Sequence, residues 1–202
     1  MRKILGLATA AIAALTMSGC ASFYVGNGIK EVPVQAMKPV AEPKPVQFVF
    51  EFQTKGVPNP RATNFLKQRV TSQVNESKLF SLLSTTPVEG AGLLKLALNN
   101  VPISNDAAEQ GFMTGLTFGL AGSNVIDGYE CTLTYLPAAN EQAAVHAQAK
   151  HALITTMGAT ATMPEGLVKA ANIDEAIYTI TNQIVSNVLN DLSHNPDFNG
   201  AK

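Results

Sequence analysis

The sequence predicts an α+β domain: an antiparallel or mixed sheet of about four strands, two helices packed on one face, and an apolar glycine-rich insertion. Three observations carry this expectation. Several segments alternate apolar and polar residues with the period of two that a half-buried strand requires. Two longer segments repeat apolar residues every three or four positions, each opened by an asparagine suited to capping a helix. The elements run strand, helix, strand, glycine-rich segment, strand, strand, helix, an order that gathers the helices on one side of hairpin-linked strands.

The first strand runs from Val46 to Gln53, with Val46, Phe48, Phe50 and Phe52 alternating against Gln47, Val49, Glu51 and Gln53. Gly56, Pro58 and Asn59-Pro60 make a turn; Asn59 is placed to cap a helix and Pro60 to start it. Leu66, Val70 and Val74 at spacing four form the buried stripe, widened by Phe65, while Lys67, Arg69 and Glu76 fall on the solvated side. Leu79 to Leu83 either continues this helix or forms a short edge strand.

Leu93 to Val101 is the second strand, with Leu94, Leu96 and Leu98 on one face. Tyr129 to Leu136 is the third, with Tyr129, Cys131, Leu133 and Tyr135 sharing a face until Pro137 ends it. Ala138 to Glu141 is short enough to close a hairpin onto the fourth strand, Ala143 to Thr155. There Val145, Ala147 and Ala149 oppose His146, Gln148 and Lys150, and the pattern slips at Ala152-Leu153-Ile154, as a bulge or full burial would make it. A loop covers roughly 157–171. Asn172, with Glu175 three residues on, opens the last helix, whose stripe is Ile173, Ile177, Ile180, Ile184, Val188 and Leu192.

These elements place one domain over 46–193, followed by a polar tail over 194–202. Residues 20–45 precede it as a tether carrying Pro33, Pro39, Pro43 and Pro45. Such a segment either extends in polyproline II, reaching on the order of 75 Å, or packs along the domain surface.

Residues 1–19 have the layout of an export signal: basic Arg2 and Lys3, an uncharged run from Ile4 to Ser18, and small Gly19 before Cys20. The run Leu15-Thr16-Met17-Ser18-Gly19-Cys20 resembles the signal of bacterial lipoproteins, with Met17 where that family usually carries leucine. The resemblance implies cleavage between Gly19 and Cys20, a diacylglycerol thioether on the Cys20 sulfur, and an acyl chain such as palmitate on its amine. Two or more chains anchor stably, at about 0.8 kcal/mol per buried methylene. Ala21 and Ser22 follow the cysteine where an aspartate would imply inner-membrane retention, so the resemblance implies the outer membrane with the domain facing the periplasm. In element order the domain is similar to small periplasmic domains of the envelope, including the lipopolysaccharide-transport plug protein LptE and the TolB amino-terminal domain.

Without Arg2 and Lys3 the chain carries 12 basic against 15 acidic side chains, a formal net charge of −3, which is not the basic footprint of a nucleic-acid binder. With Cys20 committed to lipid, Cys131 has no disulfide partner within the chain. Its parity with Tyr129 and Leu133 makes it a small buried hydrophobe rather than a nucleophile. His146 and His151 are an odd number of residues apart on one strand and so face opposite ways, and His194 lies beyond the domain; no metal set is expected. No Gly-x-Ser-x-Gly elbow, paired carboxylate site or phosphate-binding loop stands out, and Asp174-Glu175 is explained by helix capping. Neither a cofactor nor an enzymatic activity is expected, and a hydrolase would lack a recognisable constellation.

The segment Gly111 to Gly122 is the candidate contact surface. No charge occurs from 110 to 126, and Gly111, Gly115 and Gly119 repeat at spacing four beside Phe112, Leu116 and Leu120. On a helix the glycines share one face, and each costs about 1 kcal/mol against alanine unless a close approach compensates. That approach is to the membrane, to another copy of the chain in a homo-oligomer, or to this protein's own sheet. The expected function is that of a non-enzymatic accessory or adaptor of an envelope complex serving transport, secretion or wall maintenance, partnered by an envelope protein.

Overall fold

A computed structural model describes residues 21–103, 124–138, 143–157 and 166–199. Among them lie β1 (Ala21–Val25), β2 (Pro45–Thr54), β3 (Val57–Pro58), α1 (Pro60–Glu76), β4 (Leu82–Ser84), β5 (Gly92–Pro102), β6 (Asn124–Leu136), β7 (Val145–Met157), β8 (Val168–Ala170), α2 (Ile173–His194) and the short α3 (Pro196–Asn199). The strands make one mixed sheet in the order β3-β2-β5-β6-β7-β1-β8, with β4 also on β2. β2 runs parallel to β4 and β5, and every other pair is antiparallel.

This overturns the expected sheet of about four strands with two helices: eight strands and three α-helices are found among the described residues, although the class remains α+β. The four alternating segments are β2, β5, β6 and β7. The other strands are two to five residues long, too short for a period to show, and pairing rather than alternation holds them. The Leu79–Leu83 alternative resolves towards an edge strand, since Leu82 and Leu83 pair with Pro45 and Val46.

Register builds the core as rows across the sheet. Phe48, Leu94, Tyr135 and Val145 make one row, Phe50, Leu96, Leu133 and Ala147 the next, then Phe52, Leu98, Cys131 and Ala149. Leu66, Val70 and Val74 of α1 and Ile180, Ile184, Val188 and Leu192 of α2 close over them. Phe65 departs from its expected place in the stripe and is 44% exposed. Both caps form: Asn59 accepts from the Ala62 N–H at 3.1 Å, and Asn172 from the Glu175 N–H at 2.9 Å. Lys55 and Gly56, with φ of 53° and 77°, make the two-residue turn whose left-handed backbone matches the twist of a hairpin.

Ala152, Leu153 and Ile154 are all buried, so full burial rather than a bulge explains the slipped pattern. Leu153 joins the main core, while Ala152 and Ile154 join Tyr24 and Leu167 in a second small cluster, with Ile126 packed against it.

Of the two forms expected for residues 21–45, packing on the domain is the one found. β1 is an interior strand between β7 and β8. The stretch beyond it lies along α2 as a strap: the Val32 N–H donates to Ser186 Oγ at 2.9 Å, the Lys38 N–H to Ser193 Oγ at 3.0 Å, and Asn187 Nδ2 to the Lys30 carbonyl at 2.8 Å. Ser186 and Ser193 stand about two turns apart and so present their hydroxyls along one side of the helix. Met37 is buried between these contacts. At the other terminus, Phe198 packs edge-on against Phe80 and Tyr135.

Candidate functional site

A groove of about 400 Å³ runs along the seam of the two long helices. Helical spacing builds it. Phe65, Arg69 and Gln73 succeed one another at four-residue steps on α1, and Tyr178 and Asn182 do so on α2. Phe65 and Tyr178 stack at 5.1 Å between ring centroids, 15° from parallel, and the Arg69 guanidinium lies 4.1 Å over the Tyr178 ring. Gln73 Nε2 donates to the Asn182 carbonyl at 2.7 Å, whereas its buried Oε1 has no partner among the described residues. Glu31 of the strap and Glu76 add carboxylates to the lining. An aromatic face, a cation and planar amides offer stacking and hydrogen bonding. Phe65 was legible at helical spacing, whereas Tyr178 falls outside the stripe read for the last helix, and their meeting across two helices was not legible.

A second set of chemically capable side chains lies inside. His151 sits on β7 with Nε2 towards Gln183 Oε1 of α2, while the Ala152 N–H donates to its Nδ1 at 2.9 Å. A backbone donor at Nδ1 requires that nitrogen to accept, which leaves the proton on Nε2 and the ring neutral. Burial depresses the His151 pKa, and the Gln183 hydrogen bond opposes that shift. Burial raises the Cys131 thiol far above the ordinary range, so no nucleophilic thiolate forms at neutral pH. Tyr129 is likewise raised by burial and then by the nearby Asp127 carboxylate.

The three histidines do not converge. His151 is buried facing α2, and His146 is on the opposite, exposed face, where Thr134 Oγ1 lies 3.1 Å from its Nδ1. His194 ends α2 with Nδ1 3.0 Å from the Asn190 carbonyl. Among the described residues no group of three or more His, Cys, Asp or Glu side chains is placed to hold a metal ion. Nor is any described helix long and apolar enough to cross a membrane. The expected lipidation and cleavage residues, Gly19 and Cys20, lie outside the described residues, as do Gly111, Phe112, Gly115, Leu116, Gly119 and Leu120.

No protein-family model matches the chain, and no curated protein matches its sequence. Its shape is similar to several solved structures. The PelC dodecamer from Paraburkholderia phytofirmans is 11% identical over 88% of this chain and 99% of that one, with a TM-score of 0.34. A neuraminyllactose-binding hemagglutinin homolog from Helicobacter pylori is 16% identical over 78% and 87%, with a TM-score of 0.38. A protein from Xanthomonas campestris is 13% identical over 81% and 92%, with a TM-score of 0.34. Likenesses of this size carry no argument about what this chain does.

Proposed function

We propose that the chain is an outer-membrane lipoprotein, anchored through acylated Cys20, whose α+β domain faces the periplasm as a non-enzymatic adaptor of an envelope complex. The observation that carries the reading is the leader itself: basic Arg2 and Lys3, an uncharged run from Ile4 to Ser18, and Gly19 directly before Cys20. Acylation at that junction supplies membrane attachment without asking a helix to span. The groove along α1 and α2, with its stacking and hydrogen-bonding groups, is the surface we assign to the partner.

Intact mass of the mature protein from an envelope fraction tests the anchor. An amino-terminal Cys20 carrying the mass of its acyl groups supports the reading, with Cys20→Ala releasing the protein from the membrane. An unmodified Cys20, or a retained leader, ends it. Photo-crosslinking from position 68 or 72 in the groove tests the adaptor role; the expected product is one discrete envelope protein.

A second reading, self-assembly through Gly111–Gly122, is supported by the three glycines at spacing four within an uncharged run. Gly115→Leu should convert an oligomer of the delipidated protein into a folded monomer. A wild-type monomer in that form excludes assembly.

A further inference from the structure

Charge is unevenly spread along the groove between α1 and α2, and the fold fixes which end holds it. The two helices run in the same direction there. Phe65 meets Tyr178, Arg69 lies over Tyr178 and donates to Asn182 Oδ1 at 3.5 Å, and Gln73 bonds the Asn182 carbonyl. One helical step of four beyond Asn182 is Ser186, whose Oγ receives the Val32 N–H of the strap. Glu31, next to Val32, therefore enters the groove beyond Gln73, and so does Glu76, three residues further along α1. Aromatic rings mark one end and both carboxylates the other, about 16 Å apart from position 65 to position 76 at the helical rise.

The acidic end has no cation of its own. Glu31 and Glu76 are exposed, and the ion pairs among the described residues are Lys44–Glu42 and Lys150–Glu130. Arg69, the one cation among the described lining residues, is held at the aromatic end by the Tyr178 ring. Gln73 adds to the imbalance. The Asn182 carbonyl can only accept, so the Gln73 amide turns its nitrogen to it and leaves Oε1 buried without a donor among the described residues. One carbonyl dipole and two carboxylates thus give this end a negative potential that no lining cation offsets. Phe65, 44% exposed, offers an apolar face at the other end.

We propose that the groove takes an extended, basic segment of the partner protein, with an apolar side chain against Phe65 and a lysine or arginine at Glu31 and Glu76. The inference rests on the adaptor reading and adds the chemistry of the partner to it. At about 3.3 Å per residue of extended chain, the two side chains stand about five positions apart. Charge complementarity decides the occupant: an acidic segment would meet like charge at Glu31 and Glu76, and a neutral one would leave both unanswered.

The test uses the full-length protein in its own envelope fraction, with a photo-crosslinker at position 72, between the two ends. The expected product joins 72 to a peptide of one envelope protein that carries lysine or arginine beside the linked residue, read by tandem mass spectrometry. Raising salt from about 0.1 M to about 1 M, where the screening length falls to about 3 Å, should lower the yield. Glu31→Lys with Glu76→Lys should lower it at least about tenfold, because like charges then face each other across the contact. Replacing the partner's basic residue with glutamate should restore the product in that variant. Both positions are exposed, and an unchanged urea midpoint shows the fold intact. If the lysine pair shifts that midpoint, Glu31→Gln with Glu76→Gln carries the same comparison, with a smaller loss expected. A folded charge variant that crosslinks as well as wild type overturns the basic segment and leaves the adaptor standing. A linked peptide that is acidic at the contact, or a product that is glycan or lipid, also overturns it. No product from position 68 or 72 overturns both readings.

Discussion

His151 of β7 and Gln183 of α2 hydrogen-bond across the seam between sheet and helix, while the Ala152 amide holds the second ring nitrogen as an acceptor. A protonated ring would turn an N–H towards that amide, so the folded protein resists charging His151. An unfolded histidine takes its proton near pH 6.5. Below that pH the unfolded chain binds a proton that the folded chain refuses, so stability falls as pH drops from about 6.5 towards the lowered pKa, by at most about 1.4 kcal/mol per pH unit. Above 6.5 the residue contributes no slope. Urea unfolding at a series of pH values should show this fall in the wild type. In His151→Gln, which does not titrate, that component is lost; an unchanged slope would assign the effect elsewhere.

Gly92 opens β5 where a Cβ would lie 2.7 Å from the Leu136 carbonyl oxygen and 3.1 Å from the Tyr135 ring. The obstacle is backbone of the paired strand, which cannot rotate away. Gly92→Ala should cost about 1–3 kcal/mol by the ordinary penalty of overpacking. Gly26→Ala meets the Ala152 carbonyl at 3.2 Å and should cost less. Denaturation midpoints in that order support the register; equal midpoints would contradict it.

The strap gives a prediction of a different kind. Ser186→Ala and Ser193→Ala each remove the acceptor of a strap amide and should cost about 1 kcal/mol in unfolding stability. Limited proteolysis should cut the double variant between residues 29 and 40 faster than wild type. Cleavage at the wild-type rate would mean that the serines do not hold the strap.

Phe65, Arg69 and Tyr178 join the two helices outside the main core. A double-mutant cycle of Phe65→Leu and Tyr178→Leu should return a coupling of about 0.5–1.5 kcal/mol. Arg69→Met keeps the aliphatic stem but removes the cation, so it should cost only about 0.5–1 kcal/mol, the size of an exposed cation–π contact. A cycle that closes to zero would show that the rings do not stack in solution.

What could be read in advance follows from length. β2, β5, β6 and β7 run ten residues or more and display their alternation, and both long helices announce their caps and stripes. β1 was hidden because five residues, Ala21 to Val25, stand before a proline-spaced stretch whose composition dominates any window. β8 is three residues inside a run rich in Gly, Ala and Thr. The lone parity argument for Cys131 succeeded because burial on one face is a local property. The Phe65–Tyr178 contact belongs to no local pattern: it depends on how two helices a hundred residues apart are laid side by side on the sheet.

The interior place of β1 also imposes an order on folding. Ala21 pairs with Met157, and Phe23 pairs with both Thr155 and Ala170, so the opening strand finds its two neighbours only in the last third of the chain. Closing contacts this distant in sequence is slow because loop entropy is spent before any pairing compensates for it. On a chain that emerges amino terminus first, β1 must wait unpaired until β7 and β8 arrive, and the strap cannot lie down until α2 has formed. The earliest of the described strands is then among the last to find its place.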